Sequence, residues 1–189
     1  MKAERGILVL FTGSSGVGKG TIMNELYTLD DTIKLSVSNT TRSPRKGEID
    51  GVHYNFVAKE QFKELIEQDG YLEYAEYCDE YYGTPKKQVE DLLDAGYNVF
   101  LEIEVKGGLQ IMEKYPDVLS IFILPPSMEE LERRLRGRGT EEEAVIQKRL
   151  SKAKEEMQYK DRYKYQIIND NAVKAAEEVL AVLNQYKNH

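Results

Sequence analysis

The sequence has little cysteine and no long hydrophobic run near its start. Its single cysteine, Cys78, excludes a disulfide within the chain and is consistent with a reducing compartment. The apolar run nearest the N-terminus is Ile7–Phe11, which is too short for a signal sequence or a membrane span. We therefore expect a cytoplasmic protein with no attachment to a membrane.

The chain also lacks an excess of positive charge. Its net charge of −7 argues against general binding of nucleic acid. Basic residues are nevertheless gathered in two groups, one of Arg42, Arg45 and Lys46 and the other of Arg133, Arg134, Arg136 and Arg138. Such groups in an acidic protein either handle a small anion or are solvated surface charge, and composition leaves both interpretations open.

Repeats, low-complexity tracts and linkers are absent as well, so the 189 residues fit one domain. Capping boxes at Ser127–Glu130 and Thr140–Glu143 predict the starts of two helices. Four short apolar runs predict buried strands: Ile7–Phe11, Val99–Ile103, Ile121–Leu124 and Tyr165–Ile168. Strands that alternate with helices favour an α/β fold, in which both faces of a parallel sheet are covered.

Residues 36–88 interrupt this alternation. Asp50-Gly51, followed by the alternating Val52, Tyr54 and Phe56, is typical of a β-hairpin. A short helical pattern follows, with Phe62, Leu65 and Ile66 on one face. We expect a small mixed-sheet insertion in the α/β core.

A glycine-rich segment follows the first predicted strand and precedes a helical pattern of Ile22, Leu26 and Leu29. It consists of Gly13, Ser14, Ser15, Gly16, Val17, Gly18, Lys19, Gly20 and Thr21. In this context the pattern predicts a phosphate-binding P-loop, whose backbone N–H groups and following helix N-terminus surround phosphate oxygens. Lys19 would reach the β- and γ-phosphates. The usual hydroxyl directly after the lysine is replaced by Gly20, so Thr21 is the candidate hydroxyl for a metal ion.

Three further segments resemble those of guanylate kinases, which are nucleoside monophosphate kinases that phosphorylate GMP with ATP. The segments are Ser36–Tyr54, Tyr71–Glu76 and Tyr81–Thr84, in the family's order. The resemblance implies a P-loop NTPase fold with a parallel five-stranded sheet, a small mixed-β GMP-binding insertion and a helical lid. It also implies ATP as co-substrate, Mg²⁺ as cofactor, and a role in purine nucleotide metabolism and GMP recycling.

The resemblance also implies which residues bind the acceptor. The implied GMP-binding residues are Ser38, Arg42, Arg45, Tyr54, Glu73, Tyr82, Gly83, Thr84 and Glu104. Arginines suit the acceptor phosphate because the planar guanidinium binds phosphate oxygens in pairs and stays charged. Glu73 suits guanine because an ionised carboxylate only accepts hydrogen bonds, and N1 of guanine donates one whereas N1 of adenine accepts one.

On the donor side, the resemblance implies a lid whose arginines move onto the ATP phosphates. The implied ATP-binding residues beyond the P-loop are Arg134, Asn169 and Asp170. The implied catalytic charges are Lys19, Arg45, Arg138 and Arg149. The family generally has Asp where this chain has Glu104, so its contact with GMP, with a metal through water, or with an arginine stays open.

The implied domain division places the core in residues 1–37, 89–126 and 159–189, the GMP-binding subdomain in 38–88 and the lid in 127–158. An alternative is a non-catalytic guanylate-kinase-like domain that holds phosphorylated peptides; such domains usually lack the lysine and lid arginines that this chain retains. Another small-molecule kinase is disfavoured by Glu73 and the segment Tyr81–Thr84. We expect ATP, GMP and dGMP as small-molecule partners, and no nucleic acid or obligate protein partner.

Overall fold

The computed structural model describes residues 4–137 and 142–187. Its large sheet has five parallel strands in the order β2 (Ile33–Leu35), β7 (Asn98–Glu102), β1 (Leu8–Gly13), β8 (Leu119–Leu124) and β9 (Tyr165–Ile168). The four strands predicted from apolar runs are confirmed to within a residue at most ends. The fifth, β2, is a three-residue edge strand that carries an exposed lysine, so no apolar run marked it.

Seven α-helices occur in the described residues: α1 (Lys19–Leu29), α2 (Lys59–Glu67), α3 (Lys86–Asp94), α4 (Val105–Lys114), α5 (Met128–Gly137), α6 (Glu143–Met157) and α7 (Ala172–Lys187). A 3₁₀ turn covers Lys160–Arg162. None of the helices in these two ranges is both long and apolar enough to cross a membrane.

The core lies on both faces of the large sheet. Because successive side chains of a strand point to opposite faces, Val9 and Phe11 pack with α1 and α7 on one side. Leu10 packs with α3 and α4 on the other. Of the apolar positions predicted on α1, Ile22 and Leu26 are fully buried, but Leu29 is 44% exposed because the helix ends there, beyond the sheet.

The insertion forms a second, mixed sheet in the order β4 (Asn55–Phe56), β3 (Asn39–Thr40), β6 (Glu80–Pro85) and β5 (Tyr71–Tyr77). Strands β3 and β4 are parallel, whereas β6 is antiparallel to both of its neighbours. Helix α2 covers this sheet through Phe62, whose ring stacks on Tyr71 with centroids 4.3 Å apart.

The hairpin predicted at Asp50-Gly51 is wrong. The chain makes a turn there, with the Gly51 N–H donating to the Tyr54 carbonyl at 2.8 Å, and β4 then pairs in parallel with β3. The hairpin of the insertion is β5–β6, whose two-residue turn places Cys78 and Asp79 at φ of 52° and 62°. Two left-handed residues match the twist of a hairpin, but Cys-Asp carries no glycine to signal it.

Helices α5 and α6 pack together through Leu131, Leu135, Ile146 and neighbouring apolar residues. The first predicted capping box is confirmed in part: the Glu130 N–H donates to Ser127 Oγ at 3.1 Å, but the Glu130 carboxylate binds arginines instead of returning to the backbone. The second predicted box includes residues outside the described ranges, and α6 begins at Glu143.

Candidate active site

The glycine-rich segment links the end of β1 to the start of α1, as the sequence predicts. Gly16 and Gly18 have φ of 84° and 96°, a left-handed conformation that favours glycine and turns the loop back over the helix N-terminus. Lys19 Nζ donates to the Gly13 carbonyl at 2.7 Å. Burial lowers the pKa of Lys19, and the carboxylates of Glu102 and Glu156 oppose that change.

Two residues predicted for ATP meet beneath this loop. Asn169 Nδ2 donates to the Val17 carbonyl at 2.8 Å, and Arg134 donates to the Asn169 carbonyl, also at 2.8 Å. Glu130 accepts a bond from Arg134 Nε at 2.8 Å and fixes its guanidinium. Asn169 is therefore part of the support of the P-loop, a role that the sequence did not indicate. Its neighbour Asp170 is exposed.

The other loop residues differ in exposure. Ser14 is fully buried, and its hydroxyl has no hydrogen-bond partner within the described residues. Ser15 is half-buried, whereas Gly20 and Thr21 are exposed on the first turn of α1. A buried, unpaired hydroxyl in a loop of inward-turning N–H groups is suited to an oxygen-rich anion.

Arg42, Tyr54 and Tyr82 form one corner of the insertion. The Arg42 guanidinium lies 5.3 Å from the centre of the Tyr54 ring, and the rings of Tyr54 and Tyr82 have centroids 6.0 Å apart. The sequence predicted all three for the acceptor phosphate, and the structure brings them together. The Glu48 carboxylate raises the pKa of Arg42, with a smaller contribution from Tyr82.

Glu48 is a residue of this corner that the sequence analysis did not single out. Its carboxylate accepts two bonds from Arg42, at 2.8 and 3.0 Å, and a third from the Arg45 backbone N–H at 2.7 Å. These bonds lower the pKa of Glu48 to about 2. The Arg45 side chain itself is exposed. Opposite charges six residues apart in a loop are too weak a signal to predict this pair.

Glu73 and Thr84 form the second corner. Thr84 Oγ1 donates to Glu73 Oε1 at 2.6 Å. Thr84 is 0% exposed and Glu73 is 6% exposed. Burial raises the pKa of Glu73, and the bonds from Thr84 oppose that change. Ser38 directly precedes β3, in which Asn39 is paired with Gly83 of β6, and buried Gly83 lies close to Phe62. Of the residues predicted for the guanine edge, Glu73 and Thr84 therefore lie on the adjacent strands β5 and β6, and Ser38 lies just before β3.

A third group of charged residues lies where α6 faces the end of β7. Lys152 Nζ donates to Glu104 Oε1 at 2.8 Å and lies 3.8 Å from a Glu156 oxygen. The other Glu156 oxygen is buried without a partner within the described residues, and burial raises the pKa of this carboxyl. No sequence motif had indicated a role for Lys152 or Glu156. Arg149 is half-buried on the same helix, and Arg138 lies outside the described residues.

The part of the chain that the structure describes holds no preformed metal cage of acidic residues. Within residues 4–137 and 142–187, no group of three or more His, Cys, Asp or Glu side chains could hold an ion. A hard cation that keeps several waters and binds through substrate phosphates needs few protein ligands. The exposed hydroxyl of Thr21, beside the phosphate loop, fits that requirement.

Comparisons with known proteins agree on one family. The family model described as guanylate kinase matches residues 5–186. A guanylate kinase of Clostridioides difficile is 50% identical over all of this chain and 92% of the relative, and one of Desulfitobacterium hafniense is 47% identical over 97% and 92%. A crystal structure of guanylate kinase from Anaplasma phagocytophilum matches with a TM-score of 0.74 and 34% identity, over 98% of this chain and 88% of that one.

Proposed function

The chain belongs to the guanylate kinase family. We propose that it is an ATP:GMP phosphotransferase in which the two corners of the insertion bind GMP and the P-loop binds ATP. The reaction converts ATP and GMP into ADP and GDP. The observation that carries this proposal is the buried Glu73–Thr84 pair, which lies in the same molecule as an intact P-loop with Lys19 in place. A P-loop alone would leave the acceptor undefined.

The insertion, residues 38–88, would bind GMP. An ionised Glu73 presents acceptors to the N1–H and N2–H₂ donors of guanine, and Thr84 fixes one of its oxygens. Arg42 would bind the acceptor phosphate, assisted by the Tyr54 and Tyr82 hydroxyls. Because Arg42 is already paired with Glu48, its guanidinium is oriented before the substrate arrives. Arg45, whose side chain is exposed, would add a second cation.

The core, residues 1–37, 89–126 and 159–189, would hold the phosphates of ATP, and the lid, residues 127–158, would cover them. Phosphoryl transfer needs positioning and charge neutralisation more than a protein nucleophile. Lys19 and the lid residues Arg138 and Arg149 would supply positive charge around the transferring group. Arg134 and Asn169 would keep the loop in shape, as their bonds to Val17 and to each other indicate.

Magnesium fits this arrangement as a companion of the nucleotide. Thr21 would be its protein ligand, and when bound the ion neutralises phosphate charge. The proposed site contains no thiol, and the single cysteine is a free, exposed residue. We also propose that the enzyme acts in the cytoplasm, where a free cysteine stays reduced, and that it accepts dGMP as well as GMP.

The phosphopeptide-binding alternative is not favoured. Non-catalytic guanylate-kinase-like domains usually have a degraded P-loop, whereas in this chain Gly16, Gly18 and Lys19 are all in place. The relatives at about 50% identity are also named as enzymes.

The proposal can be tested with the purified protein in an assay of ADP formation from ATP, with GMP, dGMP, AMP, CMP and UMP offered in turn. We expect turnover with GMP and dGMP and little with the other three. A Lys19→Ala variant purified in the same way controls for contaminating kinases. Equal turnover with GMP and AMP, or none with any acceptor, would contradict the proposal.

A further inference from the structure

Helix α4 comes unusually close to the acceptor carboxylate. Gly107 lies in the first turn of this helix, and a Cβ atom built on it would lie 2.9 Å from Glu73 Oε2 and 3.3 Å from Glu73 Cδ. Contacts between carbon and oxygen or carbon atoms in proteins are most favourable at about 3.5–4.0 Å. Any side chain at position 107 would therefore collide with the carboxylate.

The helix itself cannot easily move away from the contact, because α4 is fastened to the strand that carries Glu73. Gln110 donates to the Tyr74 carbonyl at 3.4 Å, and Lys114 donates to the Leu72 carbonyl at 3.1 Å. These two bonds hold the backbone on either side of Glu73. Positions 107, 110 and 114 share one helix face, so Gly107 is on the side of α4 that rests on β5.

The opposite oxygen of the carboxylate is fixed as well. Thr84 Oγ1 donates to Oε1 at 2.6 Å, and Thr84 is fully buried. The Glu73 side chain is thus held between Thr84 on one side and the first turn of α4 on the other. Because helix and strand are held together, a Cβ at position 107 would displace the Glu73 carboxylate, the flexible partner of the contact, from its present position.

We infer that Gly107 is a positioning residue for acceptor recognition, which acts through Glu73. The inference rests on the proposed function, in which Glu73 reads the guanine edge. The absence of a side chain at 107 sets the depth at which the carboxylate lies, and hence the length of its hydrogen bonds to the base.

The test compares Gly107→Ala with the wild-type enzyme. A displacement of about 1 Å can lower the rate on the order of 10²-fold, so we expect kcat/KM for GMP to fall tenfold to 10²-fold. The KM for ATP should stay within about twofold, because the P-loop lies elsewhere. Alanine favours a helix over glycine, so lost helix stability would not account for the effect.

A second substitution separates positioning from a general structural role. Glu73→Asp shortens the acid by one methylene and should impair the wild type, because the carboxylate no longer reaches the base. In the Gly107→Ala background the shorter acid relieves the collision, so the double variant should lose less activity than the product of the two single losses. Lys106→Ala, an exposed change in the same turn, is the matched control and should leave both KM values unchanged.

Three outcomes would overturn the inference: a wild-type kcat/KM for GMP in Gly107→Ala, a rise in the KM for ATP as large as the loss in kcat/KM for GMP, or single losses that simply multiply in the double variant. Each is meaningful only if the wild type uses GMP. A wild type inactive towards GMP would instead refute the proposed function, so the two failures are distinguishable.

Discussion

Replacing Glu73 by glutamine should weaken catalysis and strengthen the fold in one step. The substitution keeps the shape of the side chain and its contact with Thr84 while it removes the negative charge. The amide also has two N–H donors, which would face the donors of guanine. Activity and stability should therefore move in opposite directions, which a damaged fold cannot produce.

The loss of activity can be worked out from the bonds to the base. The carboxylate would accept bonds from N1–H and N2–H₂, and a hydrogen bond to a charged group is worth about 1.5–3 kcal/mol. Two such bonds amount to about 3–6 kcal/mol, which corresponds to roughly 10²–10⁴ in kcat/KM for GMP. Turnover with AMP should change much less, so the preference for GMP should fall by a similar factor.

The gain in stability follows from the raised pKa. Burial lifts the pKa of Glu73 above its ordinary 4.5, so the folded state disfavours the ionised form. Relative to the glutamine variant, the wild type loses stability as the pH rises from below 4.5 through the raised pKa. For each unit by which the pKa of folded Glu73 exceeds the ordinary value, the wild type loses about 1.4 kcal/mol of its free energy of unfolding at neutral pH. Below the ordinary pKa, the difference between the two proteins should vanish.

Urea unfolding of both proteins at pH 7 and pH 4, together with kinetics for GMP and AMP, would measure all of these quantities. At pH 7 the glutamine variant should unfold at a higher urea concentration than the wild type. At pH 4 the two unfolding midpoints should be nearly equal. An unchanged GMP preference would show that the base is read elsewhere. A variant that is less stable than the wild type at pH 7 would show that the charge of Glu73 is well compensated.

Other predictions concern the P-loop, the insertion and the lid. Lys19→Ala should lower kcat by about 10²–10³ with an unchanged unfolding midpoint, and near-native turnover would remove the P-loop assignment. Asn169→Ala should raise the KM for ATP and GTP alike, because its amide supports Val17; an effect on ATP alone would indicate contact with adenine. Phe62→Ala should cost about 3–5 kcal/mol, since it removes the ring stacked on Tyr71, and faster amide exchange confined to the insertion would report it. The radius of gyration from X-ray scattering should fall when GMP and a non-hydrolysable ATP analogue are both bound, and an identical value would contradict lid closure.

Local sequence determined much of the architecture. Apolar runs identified four of the five strands of the large sheet, and capping and periodicity located helices such as α1 and α5, because burial and helix starts depend on residues close in the chain. The P-loop was readable for the same reason: its glycines, lysine and following helix are contiguous. The exceptions were short elements, β2 and the turn at Cys78, in which too few residues carry the signal.

Contacts between distant segments were decided only by the tertiary structure. The partner of Arg42, the support of Val17 by Asn169 and the approach of Gly107 to Glu73 all join residues whose spacing is set by the packing of whole elements. Sequence patterns indicate on which face of a helix or strand a residue lies, but not which atom of another element it contacts. Candidate acceptor residues could be named from their motifs, whereas the depth at which Glu73 lies and the charges around it depend on how α4 packs against β5.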